Sequence, residues 1–451
     1  MSNTRSVHAL RLESVCRAYI GFVWMYKHTD ALLNSKAAVG KVQAAVDAMV
    51  AKNPVLSGTL AQTKNAGQTV AIDFTSEPEK TSSVPVLHIK VNYNYSLVEE
   101  SGFDQNRFPE IFGHLKCLTP EIQGLPVLRL RMFEFECGSL ALAVLCHHIL
   151  MDAYAAVKVA EGIAKECCGG QCGELWHDRS VIRKLIEGCG DSVSAEPSDD
   201  AWRHMDEIVA RASEGQPAGQ LWAIVDAKNK DCQIRVKQQG IVRLKSTTAD
   251  SDGAGLSTND LVLALLWRTW TRVLINLGSS YPGYTYTGGP VDMRQKISDL
   301  VSTDTGEYLG NMVLPHPVSA AKEFVVQEPL ASVARFLGQH KRRATPLLYK
   351  QYVERIEAGA ADILATVAMS DSPAIAFSNM TRLPVYSVDF GLDRAKCSAD
   401  CVQLCSLESP LMAFAIDDNA GGFLINVVLP ETVARAFAND PEFAQYADFI
   451  Y

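Results

Sequence analysis

The sequence lacks long hydrophobic runs, because no segment approaches the about 18 apolar residues from which a membrane-spanning helix is recognised. Residues 1–10 also lack the apolar stretch of a secretory signal peptide. Both absences favour a cytoplasmic protein with no membrane partner. In that compartment the 12 cysteines are expected to be reduced.

A surplus of positive charge is missing as well. Lys and Arg total 42 against 51 Asp and Glu, the formal net charge is −9, and the basic residues are scattered along the chain. This balance argues against nucleic acid as a main partner. It leaves room for a small basic pocket that binds an anionic cofactor.

The cysteines lack the paired Cys-x-x-Cys spacing of a structural zinc site. Two groups invite a metal interpretation: Cys167, Cys168 and Cys172 lie near His177, and residues 397, 401 and 405 repeat a cysteine every four positions. Because the zinc spacing is absent, we expect small buried hydrophobic side chains and no metal.

What the sequence does contain is enough apolar material for large cores, since 47% of its 451 residues are hydrophobic. A polar stretch rich in Gly, Ser, Asp and Pro after residue 188 indicates an interdomain crossover. We therefore expect two domains, residues 1–190 and 221–451, with a linker over 191–220. Whether a segment near 392–410 crosses back to the first domain stays open.

Periodic patterns predict mixed helices and strands without internal repeats. Helices are expected over residues 35–50, after Asp152, from Ser257 for about 20 residues to Gly278, and over 431–448. Strands are expected over residues 139–146, 234–244, 284–287 and 423–429. The fold class is therefore α/β, with α+β mixed sheets in two layered domains.

The most informative motif is residues 147–152 (HHILMD), which lie where a buried strand ends and a helix begins. His148 supplies an imidazole that can accept a proton at neutral pH. Asp152, four positions on, suits a helix N-terminus, where a carboxylate is favoured by the helix dipole. A lone His-x-x-x-Asp is weak evidence, so its meaning depends on the motifs that accompany it.

Further motifs follow in a fixed order: residues 53–58 (NPVLSG), 257–260 (STND), 264–268 (ALLWR), 291–294 (VDMR), 308–311 (YLGN), 378–386 (SNMTRLPVY) and 389–393 (DFGLD). Together with HHILMD, this order resembles the BAHD acyltransferases of the CoA-dependent acyltransferase superfamily. Leu392, where the family usually has Trp, brings the pattern closer to fungal members such as trichothecene 3-O-acetyltransferases. Ala153, where the family usually has Gly, is a second departure.

The resemblance implies two chloramphenicol-acetyltransferase-like domains with a solvent tunnel between them. Acyl-CoA, with acetyl-CoA preferred, is then a co-substrate, and no cofactor is permanently bound. The resemblance assigns His148 as the general base and pairs Asp152 with Arg294 as structural support. Asp389, Phe390 and Gly391 become a structural loop on the CoA side.

The resemblance also suggests which residues contact the two substrates. Ser257 and Thr258, at a helix start, are candidates for a CoA phosphate, although simple N-capping explains them equally well. Ser378 and Asn379 match the strand that lines the pantetheine in the family. Two further positions on the acceptor or oxyanion side are Thr381 and Arg382, the second of which is also open to a salt-bridge interpretation.

These observations lead us to expect a monomeric enzyme that transfers an acyl group from CoA to a hydroxyl of a small specialised metabolite. One alternative is amide formation, since the same base can activate an amine. Another is a degenerate member that binds a metabolite without turnover, for which Ala153 and Leu392 give slight support.

Overall fold

The computed structural model describes residues 4–8, 17–62, 70–75, 83–102, 107–108, 111, 115, 117, 119, 121–179, 229–247, 256–278, 283–301, 305–357, 374–405 and 412–450. The predicted linker over residues 191–220 lies outside this set, as do residues 406–410 of the segment expected near 392–410. Among the described residues, no helix combines the length and apolar character that crossing a membrane requires.

The described strands, in chain order, are β1 (Thr4–His8), β2 (Tyr19–Tyr26), β3 (Thr59–Gln62), β4 (Val70–Thr75), β5 (Val86–Val91), β6 (Leu128–Phe135), β7 (Leu140–His147), β8 (Asn229–Val236), β9 (Tyr284–Asp292), β10 (Val313–Ala321), β11 (Ala374–Asn379), β12 (Cys401–Leu404), β13 (Met412–Asp417), β14 (Phe423–Pro430) and β15 (Asp448–Ile450). The described α-helices are α1 (Ser35–Lys52), α2 (Tyr95–Glu100), α3 (Ala153–Cys167), α4 (Gln238–Thr247), α5 (Thr258–Asn276), α6 (Arg294–Val301), α7 (Lys322–Gln327), α8 (Leu330–Lys341), α9 (Pro346–Glu357) and α10 (Glu431–Ala438).

One compact unit comprises Met1–Arg183, Asp304–Met312 and Leu383–Glu408. Its larger sheet has the order β12-β2-β7-β6-β5, with only β5 and β6 paired in parallel. Strands β2 and β7 are buried at every position, as expected of a continuous apolar run covered on both faces. A smaller antiparallel sheet has the order β1-β4-β3.

The other compact unit comprises Lys184–Thr303, Val313–Arg382 and Ser409–Tyr451. Its sheet has the order β10-β9-β11-β13-β14-β8-β15, and β11 runs parallel to both of its neighbours. Helix α5 is buried almost all round, with Trp267 and Trp270 among the largest fully buried side chains. An apolar helix of this kind belongs in the centre of a core, where α7, α8 and α10 contact it.

Most of the predicted elements are confirmed, and two are wrong in part. The strand expected over residues 234–244 ends at Val236, and α4 follows. Ile241 and Leu244, the buried residues of α4, are spaced three apart, which is a helical and not a strand period. The helix expected over 431–448 stops at Ala438, because Asp440 precedes a proline and caps a short 3-10 turn instead.

Gly289 in β9 allows a close approach that no other residue permits. A Cβ at this position would lie 2.0 Å from the backbone oxygen of Phe377, which belongs to the neighbouring strand β11. Since a backbone oxygen cannot rotate away, the two strands would have to separate locally.

We expect Gly289→Ala to lower the free energy of unfolding by about 2 kcal/mol or more, as overpacking against backbone does. Gly40→Ala is the matched control, because nothing lies within 4 Å of a Cβ there and Gly40 is inside α1. That control should stabilise the protein by about 0.5–1 kcal/mol through helix propensity. Urea unfolding of both variants tests this, and equal effects of the two substitutions would contradict it.

Candidate active site

Residues 147–152 form the corner at which β7 ends and α3 begins. The last residue of β7 is His147, and the N-cap of α3 is Asp152, whose side chain accepts a hydrogen bond from the backbone N–H of Ala155 at 3.1 Å. The sequence predicted both ends of this corner. His148 is therefore the first residue after the buried strand β7 and lies in the turn.

The two adjacent histidines have different surroundings. His147 is fully buried, its Nδ1 accepts from the backbone N–H of Ile149 at 3.3 Å, and its Nε2 lies 3.0 Å from the hydroxyl of Thr119. Because Nδ1 is an acceptor, the proton is on Nε2 and the ring is neutral. Burial, with smaller contributions from His148 and Arg129, lowers the pKa of His147 to about 3. His147 therefore supports the corner and does not exchange protons near neutral pH.

His148 has a fixed backbone and an uncommitted side chain. Its N–H donates to the backbone oxygen of Ala18 at 2.7 Å, and its own backbone oxygen accepts from Nδ2 of Asn311 at 2.8 Å. Within the described part of the chain, its Nδ1 is buried and has no hydrogen-bond partner. A general base requires this combination, a held position and a ring nitrogen that is not already bonded.

Asp152 serves the architecture of the corner with both carboxylate oxygens. Oδ1 caps α3, and Oδ2 accepts from the backbone N–H of Met312 at 3.0 Å. The ring of His148 forms no hydrogen bond with Asp152 among the described residues. Arg294, the expected partner of Asp152, is buried and its Nη1 lies 3.2 Å from Oδ1 of Asp292. The pairing of Asp152 with Arg294 stays a prediction.

Sequence reasoning missed Arg179, which also holds the corner. Its buried guanidinium donates through Nη2 to the backbone oxygen of Leu150 and through Nη1 to that of His177, both at 2.8 Å. The guanidinium also lies 5.7 Å from the ring centroid of Tyr308. No local sequence signal reveals this role, because the acceptor is a backbone carbonyl 29 residues away.

The segment Asp389–Phe390–Gly391 forms a packed loop in the same unit. The carboxylate of Asp389 accepts from the N–H of Gly391 at 2.7 Å, and the ring of Phe390 lies edge-on to Trp24 at 5.2 Å. Gly391 has a φ of 57° and its oxygen accepts from Nζ of Lys41 at 2.7 Å. These contacts give the loop a structural role, and its place on the CoA side stays a prediction.

The candidate CoA residues lie in the other unit, at the start of α5 and the end of β11. The hydroxyl of Ser257 accepts from the N–H of Asp260 at 3.1 Å and donates to its Oδ2 at 2.6 Å. The oxygen of this hydroxyl therefore caps α5, and its only proton is donated to the carboxylate of Asp260. The side chains of Asn379 and Asn259 are hydrogen-bonded to each other, which joins the end of β11 to the start of α5. The structure thus brings Ser257, Thr258, Ser378 and Asn379 to one edge of this unit.

The two residues assigned to the acceptor or oxyanion side have different environments. Both the N–H and the hydroxyl of Thr381 donate to Oδ1 of Asn379, at 2.9 and 2.7 Å. An oxyanion role for Thr381 stays a prediction and would require its hydroxyl to rotate away. Arg382 is exposed and has no ion pair among the described residues, and both its acceptor-side role and the salt-bridge interpretation stay predictions.

A profile of the Transferase family matches residues 86–444, and the chain therefore belongs to this family, the BAHD acyltransferases. Solved structures share its fold: TRI101 of F. sporotrichioides complexed with coenzyme A and T-2 has a TM-score of 0.74 at 16% identity, over 99% of this chain and 100% of that one. Vinorine synthase has a TM-score of 0.70 at 12% identity, over 98% and 93%. The predicted mixed α/β fold class is confirmed.

Curated relatives match this chain over part of their length. The agmatine hydroxycinnamoyltransferase 1 of Oryza sativa is 25% identical over 59% of this chain and 59% of the relative. The O-acetyltransferase astG of Aspergillus oryzae is 24% identical over 63% and 64%. The chain thus matches about three fifths of the length of each of these relatives.

Asp152→Asn should lose one of the two hydrogen bonds that the carboxylate accepts. An amide has one oxygen, so either Ala155 or Met312 is left with an N–H that faces another donor, which costs about 1–3 kcal/mol. Asn34→Asp, at the N-cap of α1, is the control and should change stability by only a few tenths of a kcal/mol, because Asn and Asp are equal caps. Urea unfolding of both variants tests this prediction. An Asp152→Asn variant as stable as wild type would contradict the view that both carboxylate oxygens stabilise the corner.

His147 should make stability depend on pH in acid. Its pKa is about 3 in the folded state and about 6.5 when unfolded, so between these values the unfolded chain binds more protons. The free energy of unfolding therefore falls as the pH drops below about 6.5, by at most about 1.4 kcal/mol per pH unit.

The test compares wild type with His147→Gln by urea unfolding at pH 7 and pH 5. The variant should lose less stability between these pH values than wild type does. His28→Gln, at an exposed histidine, is the control and should follow wild type. If His147→Gln loses as much as wild type, His147 is not held neutral.

Proposed function

We propose that this chain is an acyl-CoA-dependent acyltransferase that moves an acyl group, with acetyl as first candidate, to a hydroxyl of a small specialised metabolite. The observation that carries the proposal is the state of His148, whose backbone is held from both sides while its buried ring nitrogen has no partner in the described structure. Membership of the Transferase family supports the reaction class.

In the proposed reaction, His148 removes the proton of the acceptor hydroxyl as its oxygen attacks the thioester carbonyl carbon. The carbon–sulfur bond then breaks, the ester is released, and the proton passes from the imidazolium to the CoA thiolate. A positioned base of this kind contributes about 10²–10⁴ in rate. Holding both substrates in place contributes about 7–11 kcal/mol to lowering the barrier when the geometry is right.

Acyl-CoA is a co-substrate in this proposal, and structures of similar fold were solved with coenzyme A or ethyl coenzyme A. Thr258, at the first turn of α5, and Ser378, on β11, are the first candidates, because neither side chain forms a hydrogen bond with the described residues. Ser257 could offer a phosphate only its remaining lone pair unless it gives up its bond to Asp260. A cytoplasmic location and a monomeric state stay predictions.

Amide formation is the second candidate, and the names of two relatives favour it. Besides the agmatine hydroxycinnamoyltransferase, the putrescine hydroxycinnamoyltransferase of Oryza sativa is 27% identical over 34% of this chain. Agmatine and putrescine are amines, whereas the relative from Aspergillus oryzae is an O-acetyltransferase. A panel of acceptors that differ only in hydroxyl against amino separates the two reactions.

His148→Gln should lower the rate of thiol release from acetyl-CoA by about 10²–10⁴ in the presence of an acceptor, because glutamine cannot accept the proton. Release of free CoA thiol is followed with a disulfide dye across hydroxyl and amino acceptors. Acetyl-CoA affinity, measured by calorimetry, should be unchanged within about threefold.

His147→Gln is the matched control and should retain most of the rate if its fold is intact. Equal turnover by wild type and His148→Gln would overturn the proposal. A wild-type chain that neither binds acetyl-CoA nor releases thiol with any acceptor would instead support the metabolite-binding alternative.

A further inference from the structure

A short segment of the first unit, residues 176–179, is fixed to another segment that lies far downstream in the chain. The N–H of Trp176 donates to the backbone oxygen of Glu307 at 3.1 Å, and the backbone oxygen of Trp176 accepts from the N–H of Leu309 at 2.9 Å. The rings of Trp176 and Tyr308 lie 4.4 Å apart. Two backbone hydrogen bonds and a ring contact therefore join the two segments in a parallel bridge.

The downstream segment, residues 307–312, is the one that holds the corner at residues 147–152. Nδ2 of Asn311 donates to the backbone oxygen of His148 at 2.8 Å, and the N–H of Met312 donates to Asp152 at 3.0 Å. The 176–179 segment is therefore bonded to the segment that positions the proposed base.

Arg179 connects the 176–179 segment directly to the corner as well. It is 6% exposed, and its guanidinium donates to the backbone oxygens of Leu150 and His177, each at 2.8 Å. Leu150 lies two residues after His148, and its own N–H donates to the backbone oxygen of His147 at 2.9 Å. The planar fork of an arginine holds two acceptors in fixed positions relative to each other, which an ammonium group does not.

The carbonyl of Leu150 depends on this donor because Leu150 is fully buried. A buried carbonyl that loses its donor is costly, so without the guanidinium we expect the backbone of the turn to shift. His148 belongs to the same turn and would move with it. A displacement of about 1 Å at a reacting group can lower a rate by about 10².

We propose that Arg179 is a positioning residue for the acyl transfer, which fixes the carbonyl of Leu150 so that the imidazole of His148 stays within hydrogen-bond reach of the acceptor's proton. The inference rests on the proposed function and adds a second residue on which the rate of the chemical step depends. Arg179 acts through the main chain of the corner and not on a substrate. An arginine that only stabilised the fold would change the folded fraction and leave the kcat of the folded protein unchanged.

The test compares wild type with Arg179→Met, which keeps the length of the side chain and removes its donors. Thiol release from acetyl-CoA is measured with the hydroxyl or amino acceptor that wild type turns over fastest, and rates are expressed per folded molecule. Arg179→Met should lower kcat about 10–10²-fold, with the KM for acetyl-CoA within about threefold of wild type. Arg179→Lys should lose less, because an ammonium can still donate to one of the two carbonyls.

Arg268→Met is the matched control. Arg268 is also 6% exposed and donates to two backbone oxygens, those of Val325 and Glu328, in the other compact unit. This variant loses the same kind of hydrogen bond and should keep the wild-type kcat per folded molecule. An equal loss of kcat in both variants overturns the inference, and so does an Arg179→Met variant that keeps the wild-type kcat or raises only the KM. If Arg179→Met does not fold, Arg179→Lys decides by the same criteria, with Arg268→Lys as its control.

Nuclear magnetic resonance separates this inference from the proposed function. Among the signals of the 10 histidines, the ring Cε1–H signal of His148 is the one absent from His148→Gln. In Arg179→Met this signal should shift, while that of exposed His28 stays in place. If wild type releases no thiol with any acceptor, the acyltransferase proposal fails, and the His148 signal alone decides whether Arg179 positions the ring. A shifted signal then supports that role, and an unchanged signal overturns it.

Discussion

The corner at residues 147–152 depends on hydrogen bonds to its backbone carbonyl groups. A strand that turns directly into a helix leaves the carbonyls of the turn without ladder or helix partners, and buried carbonyls require donors. Asn311 supplies one to His148 and Arg179 supplies one to Leu150. The imidazole of His148 is positioned through its own main chain, and in the described part of the chain neither ring nitrogen forms a hydrogen bond that would hold it.

The two neighbouring histidines differ in hydrogen bonding because their surroundings differ. His147 accepts a backbone hydrogen bond and is neutral well into acid, whereas His148 keeps a ring nitrogen unbonded. Asp152 follows the same logic, since its two oxygens fasten the start of α3 and the segment that ends at Met312. Among the described residues, this carboxylate forms no hydrogen bond with the ring of His148.

The sequence predicted those helices and strands whose own residues carry a clear hydrophobic period or capping signal. Strand β7, the N-cap Asp152 and helix α5 carry periodicity and capping signals that need no tertiary information. Prediction failed where patterns overlap. The apolar residues of α4 directly follow β8, so the sequence pattern assigns them to that strand, and α10 ends earlier than predicted because a turn containing a proline follows it. Both errors lie at element boundaries, where local signals compete.

Site residues could be predicted only where they belong to one local sequence motif. His148 and Asp152 are recognised from their spacing and from the motifs that accompany them. Arg179 contacts a backbone carbonyl that is distant in sequence, so the residues next to it in the chain do not indicate its role.

The first unit is discontinuous in the chain, and this has a consequence for its biogenesis. Strand β12, which pairs with β2, and Asn311, which holds the carbonyl of His148, are both encoded far downstream of the elements that they complete. During translation at about 5–20 residues per second, the edge of β2 stays without its partner for on the order of tens of seconds. An unpaired apolar strand edge invites association with other chains, so this edge is open to such association until residues 401–404 have left the ribosome.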